Sequence, residues 1–363
     1  MTGVMKRKAI TADEIRNLHA LKTPQALERK KLVIIIGAGA SIPMGIPAMK
    51  GFTKEFETHC NDDQLIDLYI KFSLRYLKKV AHLGRDWDLE ELLSRVRELK
   101  NAESSAITKM YRKYSFKGNS KPKDKFDQKI SSMAQEYSEL ERELLRFIRE
   151  KCIRPDIGKG IKIYASLFNL SKYFKLEIFT TNYDSVIENV CDSLNIRYAD
   201  GFMPKGNSGY FTWTPESLNT QNFNLFKLHG SITWYKDSNG RIIKFPIDIS
   251  GTRDVQSVII YPTEYKELFR PPFNRLYFEF SKSIFNSTGC LAIGHSFRDL
   301  YMKELLLEKV RQGDYKLTIV DPFAKSIREK KFGNSKNVNP NCMTLEAWVE
   351  NNLDDYISDL SKK

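Results

Sequence analysis

The stretch KLVIIIGAGASIPMGIP, Lys31 to Pro47, drives an apolar run straight into two glycines and a serine. A short continuous run such as LVIII, ending in Gly, predicts a strand buried on both faces of a parallel sheet. The residues after that run predict a turn able to cradle a phosphate. Gly37 and Gly39 let a backbone approach closely, successive amides can form an anion nest, and Ser41 adds a hydroxyl donor. The dinucleotide fingerprint G-x-G-x-x-G is not completed, because its third glycine position holds Ile42. A tight turn with a purely structural role is the competing reading of the same residues.

Working outward, residues 1–30 read as an N-terminal helix with Thr11 as its N-cap. From about residue 55 to 155 the pattern turns helical. DLEELLSRVRELK puts Leu89, Leu92, Leu93 and Val96 on one face, with acids in its first turn and bases in its last. ISSMAQEYSELERELLRFIREKC repeats the pattern with Leu140, Leu144, Leu145 and Ile148. The intervening SFKGNSKPKDKF reads as a basic linker. Strand signals then resume in LEIFTTN, LFKLHGS, VIIYP, CLAIGHS and KLTIVDP, several succeeded by amphipathic helical segments.

Alternation of that kind predicts an α/β fold: a Rossmann-like parallel sheet with helices on both faces, plus an inserted all-helical subdomain. The expected units are an N-terminal helical segment 1–30, a discontinuous sheet domain 31–58 and 160–330, a helical insertion 59–159, and a C-terminal tail or helix 331–363.

No apolar run reaches the ~18 residues that would span a bilayer, and the polar start lacks a signal-peptide core, so a cytoplasmic protein without membrane contact is expected. The five cysteines are scattered with no C-x-x-C pair, which argues against a disulfide framework and a structural zinc site. Cys290 reads as a buried strand thiol. The net charge of +13 admits nucleic acid as a partner. Much of the excess, however, sits in polar stretches such as Lys109 to Lys129, where solvated basic faces account for it.

Ligands of open α/β sheets bind beyond the carboxyl ends of the strands. Here five strands end in small or polar residues. They are Gly37 to Ser41; Thr181, Asn182, Tyr183 and Asp184; His229, Gly230 and Ser231; Gly294, His295 and Ser296; and Asp321 with Pro322. One cleft lined by all of them is the natural inference. His229, between a strand end and Gly230, is placed to expose its ring there. His295 reads as a supporting or packing residue, and Trp213, Trp234, Phe211 and Tyr210 as core or loop packing.

Taken in order, GAGAS…GIP, TTNYD, KLHGS, GHSFRD and VDP resemble the Sir2 (sirtuin) family, and in particular its bacterial branch of Sir2-like NAD hydrolases. The resemblance spans roughly residues 32–58 and 165–325. It implies NAD⁺ as substrate, with Gly37, Ala38, Gly39 and Ser41 on the pyrophosphate and Thr181 and Gly294 also in the binding loops. Asn182 would orient the nicotinamide ribose or the attacking water, Asp184 would meet the carboxamide, and His229 would act as general base. Ser296 and Asp321 would contact the adenosine half. It also implies an antiphage effector that acts by depleting NAD⁺, working as a homo-oligomer and gated by a separate sensor or activator protein.

Three departures from sirtuin deacylases shape the expected reaction. The stretch that usually reads G-I-P-x-F-R is here Gly45 to Lys50, with Met49 and Lys50 in place of Phe and Arg. T-Q-N is Thr180, Thr181, Asn182, without the glutamine. The zinc-binding cysteine quartet is absent from the sequence, so no zinc is expected and a helical insertion stands in that part of the chain. Attack by water on the ribose is therefore favoured over deacylation. The alternatives are an NAD-dependent deacylase or ADP-ribosyltransferase, and a non-catalytic module that binds nucleotides or nucleic acid.

Overall fold

The computed structural model describes residues 31–62, 88–101, 105–115, 120–168, 174–221, 223–245, 257–259 and 269–361, with the single residues 75, 79 and 170. The expected helix at 1–30, with its Thr11 cap, lies outside these.

Seven strands form the main sheet. They are β1 (Lys31–Ile36), β2 (Lys175–Thr180), β3 (Tyr198–Ala199), β6 (Phe223–Lys227), β10 (Ser287–Ile293), β11 (Lys316–Val320) and β12 (Val338–Asn341). Their order is β12-β11-β10-β1-β2-β6-β3, and every neighbouring pair is parallel. β1 is the central strand, and its residues from Leu32 to Ile36 are at most 1% exposed. Successive side chains of a strand point to opposite faces, so β1 splits its apolar run between two layers. Leu32, Ile34 and Ile36 join the layer that contains Tyr164, Val186 and Trp348. Val33 and Ile35 join the one built from the helices Phe273–Phe285, Leu300–Arg311 and Ala324–Phe332. The sheet is thus covered on both faces by helices, as the sequence predicted.

Between β1 and β2 the chain is helical, with Met49–Asp62, Leu89–Lys100, Ala106–Ser115, Ser120–Cys152 and Ile157–Phe168. The predicted apolar faces are the buried ones: Leu92, Leu93, Val96, Leu140, Leu144 and Ile148 are all at most 3% exposed. They belong to the same apolar layer as Leu32 and Ile34 of the sheet. The inserted helices therefore share one core with one face of the sheet.

Two sequence expectations are corrected. Residues 120–126 do not form a linker; they open the 33-residue helix Ser120–Cys152. Pro122 lies in its first turn, where a missing N–H costs nothing. VIIYP does not supply a parallel strand, because β9 (Ser257–Ile259) belongs to a second, antiparallel sheet. The other strands of that sheet are β4 (Phe202–Pro204), β5 (Phe211–Trp213), β7 (Gly230–Lys236) and β8 (Ile242–Lys244), in the order β4-β5-β8-β7-β9. Past the strand end expected before His229, the chain leaves the parallel sheet after β6 and enters the antiparallel one at Gly230. Positions 58, 159 and 330, near the expected unit boundaries, lie within helices, and β12 beyond them pairs with β11. The expected tail thus includes an edge strand of the main sheet.

Candidate active site

A cleft of about 430 Å³ opens at the carboxyl ends of β1, β2, β6, β10 and β11. Ligand sites commonly fall in this size range. Gly37, Ala38, Gly39, Ser41, Thr181, Asn182, Asp184, His229, Gly294, Ser296 and Asp321 all line it. Gly230 and Ser231, next after His229 in sequence, are not on its wall; they already belong to β7.

The glycines after β1 do a different job from the expected one. Gly37 N–H donates to Ile293 O at 2.9 Å, and Gly39 N–H to Gly294 O at 3.0 Å. A Cβ on Gly37 would stand 2.5 Å from Gly294 O, and one on Gly294 would stand 2.3 Å from Ala40 N. Gly294 also has φ of +58°, a region that disfavours side chains. The two loops are thus zipped backbone to backbone. Two of the amides assigned to an anion nest are used inside the protein, and the adjoining turn Ala38–Met44 is a 3-10 helix. Positive charge on the cleft wall comes instead from Lys50 and Arg298.

Asn182, Ser41 and Asp184 form a hydrogen-bonded chain between the first two loops. Asn182 Nδ2 donates to Gly37 O and to Ser41 Oγ, both at 3.0 Å. Because a carbonyl can only accept, the Gly37 contact fixes which end of the amide is nitrogen and leaves Oδ1 as the acceptor. The Ser41 hydroxyl in turn donates to Asp184 Oδ2 at 2.8 Å, so its one hydrogen is already used. Asp184 Oδ1 accepts from Val186 N–H at 3.0 Å. Burial pushes the Asp184 carboxyl up from its ordinary pKa, opposed by nearby Lys227 and the Ser41 bond. Lys227, 2% exposed, donates to the Asp184 main-chain carbonyl and pairs with Glu188 at 2.9 Å. Within this network Asn182 is 8% exposed and Asp184 6%.

His229 sits where the chain switches sheets. Leu228 N–H still bonds Thr180 O of β2, whereas Gly230 already pairs with Ile259 of β9. A Cβ at Gly230 would stand 2.2 Å from Val258 O, and φ there is +82°. The glycine after the histidine is therefore required by the close approach of β9. The ring is 3% exposed, with Nε2 at 3.2 Å from Asp299 Oδ2 and Nδ1 without a hydrogen-bond partner. His295 differs: its Nδ1 accepts from Phe297 N–H at 3.2 Å, and burial lowers its pKa to about 4. It is a neutral, structurally engaged ring at ordinary pH.

Three cleft residues were not singled out from the sequence. Asp299 lines the cleft and caps the helix Leu300–Arg311 by accepting from Met302 N–H at 3.1 Å. Burial raises its pKa, but bonds from His229 and Tyr277 outweigh this and hold it at about 2. Glu90 comes from the inserted helix Leu89–Lys100, accepts the Tyr183 hydroxyl at 3.0 Å, and is pushed up in pKa by burial. Arg298 pairs with Asp88, the N-cap of that same inserted helix. Glu90 read in sequence as a first-turn acid of its helix, a sufficient local explanation that hid the cleft behind it, and Asp299 stood in the GHSFRD motif without a role of its own. Among the described residues, no group of three or more His, Cys, Asp or Glu side chains is arranged to hold a metal ion. No helix among them is long and apolar enough to cross a membrane.

Fold and cleft together define a Rossmann-like α/β protein with a polar site at the strand ends. Residues 176–340 match the family model of the SIR2-like domain. That span takes in Asn182, Asp184, His229 and Asp299 but not the Gly37 loop. No curated protein matches the sequence. Solved structures similar to the chain include a Sir2 homologue–NAD complex, at 13% identity over 92% of each chain with a TM-score of 0.46. A mutant Sir2 homologue with ADP ribose is similar at 12% identity, over 97% of this chain and 99% of that one, with a TM-score of 0.47. A Sir2 mutant with a deacetylated p53 peptide and 3′-O-acetyl ADP ribose is similar at 13% identity, over 95% and 98% of the two chains, with a TM-score of 0.44.

Proposed function

We propose that the cleft binds NAD⁺ and hydrolyses its nicotinamide–ribose bond, releasing nicotinamide and ADP-ribose. One observation carries the reading. In a cleft at strand ends, His229 has a buried ring nitrogen without a hydrogen-bond partner, and Asn182, which lines the same cleft, turns its amide nitrogen to Gly37 and Ser41 and keeps Oδ1 as an acceptor; both residues lie in the SIR2-like span. Breaking the glycosidic bond builds oxocarbenium character at the anomeric carbon, and the bonding pair leaves with nicotinamide as a neutral molecule. No strong acid is needed. Water adds to the anomeric carbon and gives its proton to the His229 ring. Asn182 Oδ1 holds that water or the ribose hydroxyl, while Lys50 and Arg298 face the pyrophosphate in place of the glycine amides already in use. Thr181, Ser296 and Asp321, which also line the cleft, take the rest of the dinucleotide in this reading.

In this reading the protein is an NAD⁺-depleting effector in antiphage defence, restrained until a sensor protein or self-assembly releases it. The test is nicotinamide release from NAD⁺ by the wild type, His229→Ala and Asn182→Ala, with an acyl-lysine peptide in a parallel arm. Turnover without peptide, lost at least ~100-fold in both variants, supports hydrolysis. Product formation only with peptide would move the assignment to deacylation.

A further inference from the structure

The cleft base is held by a partner that takes no part in the hydrolytic steps. The Asp299 carboxylate meets His229 Nε2 at 3.2 Å, takes the Tyr277 hydroxyl at 2.7 Å on the same oxygen, and takes Met302 N–H at 3.1 Å on the other. All three of His229, Asp299 and Tyr277 are buried, at 3%, 8% and 7% exposure. An ionised carboxylate can only accept, and a neutral imidazole carries its hydrogen on one nitrogen alone. The opposite tautomer would set a lone pair against the carboxylate and bury an N–H at Nδ1 with nothing to receive it. The Nε2–H tautomer avoids both faults and leaves the lone pair at Nδ1, the one ring nitrogen that the protein does not bond.

We propose that Asp299 is the positioning residue of His229: it fixes the ring in its Nε2–H tautomer, so that Nδ1 is the atom that takes the proton from water, and Tyr277 moderates its pull. The assignment rests on His229 being the cleft base. Asp299 stays a carboxylate throughout and stabilises the imidazolium once the proton has arrived, after which the proton returns to solvent from Nδ1. The other titratable groups facing His229 are Glu90 from the inserted helix and His295 from the loop after β10, with Arg298 beside Glu90. Glu90 adds to the stabilisation of the imidazolium when ionised, whereas His295 is neutral and gives a weak opposing effect at most.

Asp299→Asn is the informative variant, because asparagine still caps the helix and still fills the site but can offer an N–H to the ring. With isotope-labelled histidine, long-range nitrogen–proton spectra of the five histidines report the tautomer of each ring, and His229→Asn identifies the signal. The wild-type His229 ring is expected as neutral Nε2–H, and Asp299→Asn is expected to lose that single tautomer and to titrate at lower pH. Nicotinamide release by this variant should fall on the order of 10²–10⁴-fold in kcat with KM nearly unchanged, the size seen when a base is left in the wrong tautomer. The acid limb of the pH–rate profile should move to lower pH. Tyr277→Phe removes a donor from the carboxylate, so the His229 midpoint should rise.

A wild-type ring already in the Nδ1–H form, or an unmoved midpoint in Tyr277→Phe, would overturn the assignment whether or not Asp299→Asn folds. Tautomer and midpoint behaving as expected in a chain that neither releases nicotinamide nor gains melting temperature from NAD⁺ would sustain Asp299 and sink the hydrolase reading instead.

Discussion

Gly294 shows how little freedom the site leaves at single residues. Its left-handed backbone and the 2.3 Å that would separate an added Cβ from Ala40 N mean that alanine fits neither the conformation nor the space. Strain of that kind costs about 1–3 kcal/mol for the dihedral alone, and displaced backbone adds to it. We expect Gly294→Ala to lower stability by about 3 kcal/mol or more in urea denaturation and to abolish activity with it, because Gly37 and Asn182 lean on the same contact. A variant of near wild-type stability would show that the two loops can separate at little cost. At this scale the sequence told part of the story. It marked every glycine and polar strand end of the cleft, but it assigned the Gly37 and Gly39 amides to a ligand when each is spent on β10 and its loop. Nothing in the order of letters distinguishes an amide that faces a phosphate from one that faces Ile293.

Among the elements, the inserted helices are tied to each other and to the second sheet through one buried carboxylate. Glu141, 3% exposed, accepts from Arg97 Nε at 2.6 Å and from Lys100 Nζ at 2.7 Å, and Arg97 also reaches Ile259 O of β9 at 3.3 Å. Burial alone would raise the Glu141 pKa, but Arg97 and Lys100 prevail and hold it below its ordinary 4.5. Removing one partner of a buried pair costs about 3–5 kcal/mol, and the partial exposure of both cations reduces this. We expect Glu141→Gln to destabilise by about 2 kcal/mol at pH 7. For a depressed carboxylate, stability is present above the unfolded pKa and lost as pH falls through the folded one. The difference between variant and wild type should therefore shrink below about pH 4.5. A constant difference from neutral pH down to well below that value would mean that Glu141 contributes through packing.

The long amphipathic helices were legible because leucines repeated at helical spacing over many turns. The second sheet was not, because β4, β5, β8 and β9 hold three residues each, too few for an alternation to declare itself. β7 was longer but ran on from β6 with only Leu228 and His229 between them, so one apolar run concealed a change of sheet.

Across the whole molecule the parallel sheet orders the stabilities. β1 has β10 on one side and β2 on the other, with apolar layers above and below. Its amides can reach water only when the fold opens as a whole. We expect hydrogen exchange at Val33 to Ile36 to proceed at the global unfolding rate, whereas amides of β4 and β5 at the margin of the second sheet should exchange through smaller openings. Faster exchange in β1 than in β12 would contradict the layered core. The fold class itself was readable at this scale, since a buried strand, a glycine turn and four further strands with polar ends permit few arrangements. The sharing of one core by the insertion and the sheet was not, for it depends on which layer each apolar face meets.

The central place of β1 also sets a timetable on the ribosome. Residues 31–36 are made before the neighbours that complete their strand pairing, which lie at 175–180 and 287–293. At roughly 5–20 residues per second, the first strand waits on the order of tens of seconds for its second neighbour. Until then no zip between the Gly37 and Gly294 loops can close, and His229 has no Asp299 to face. The cleft therefore cannot assemble until the chain has been made past residue 299, because β10 and Asp299 both belong to it.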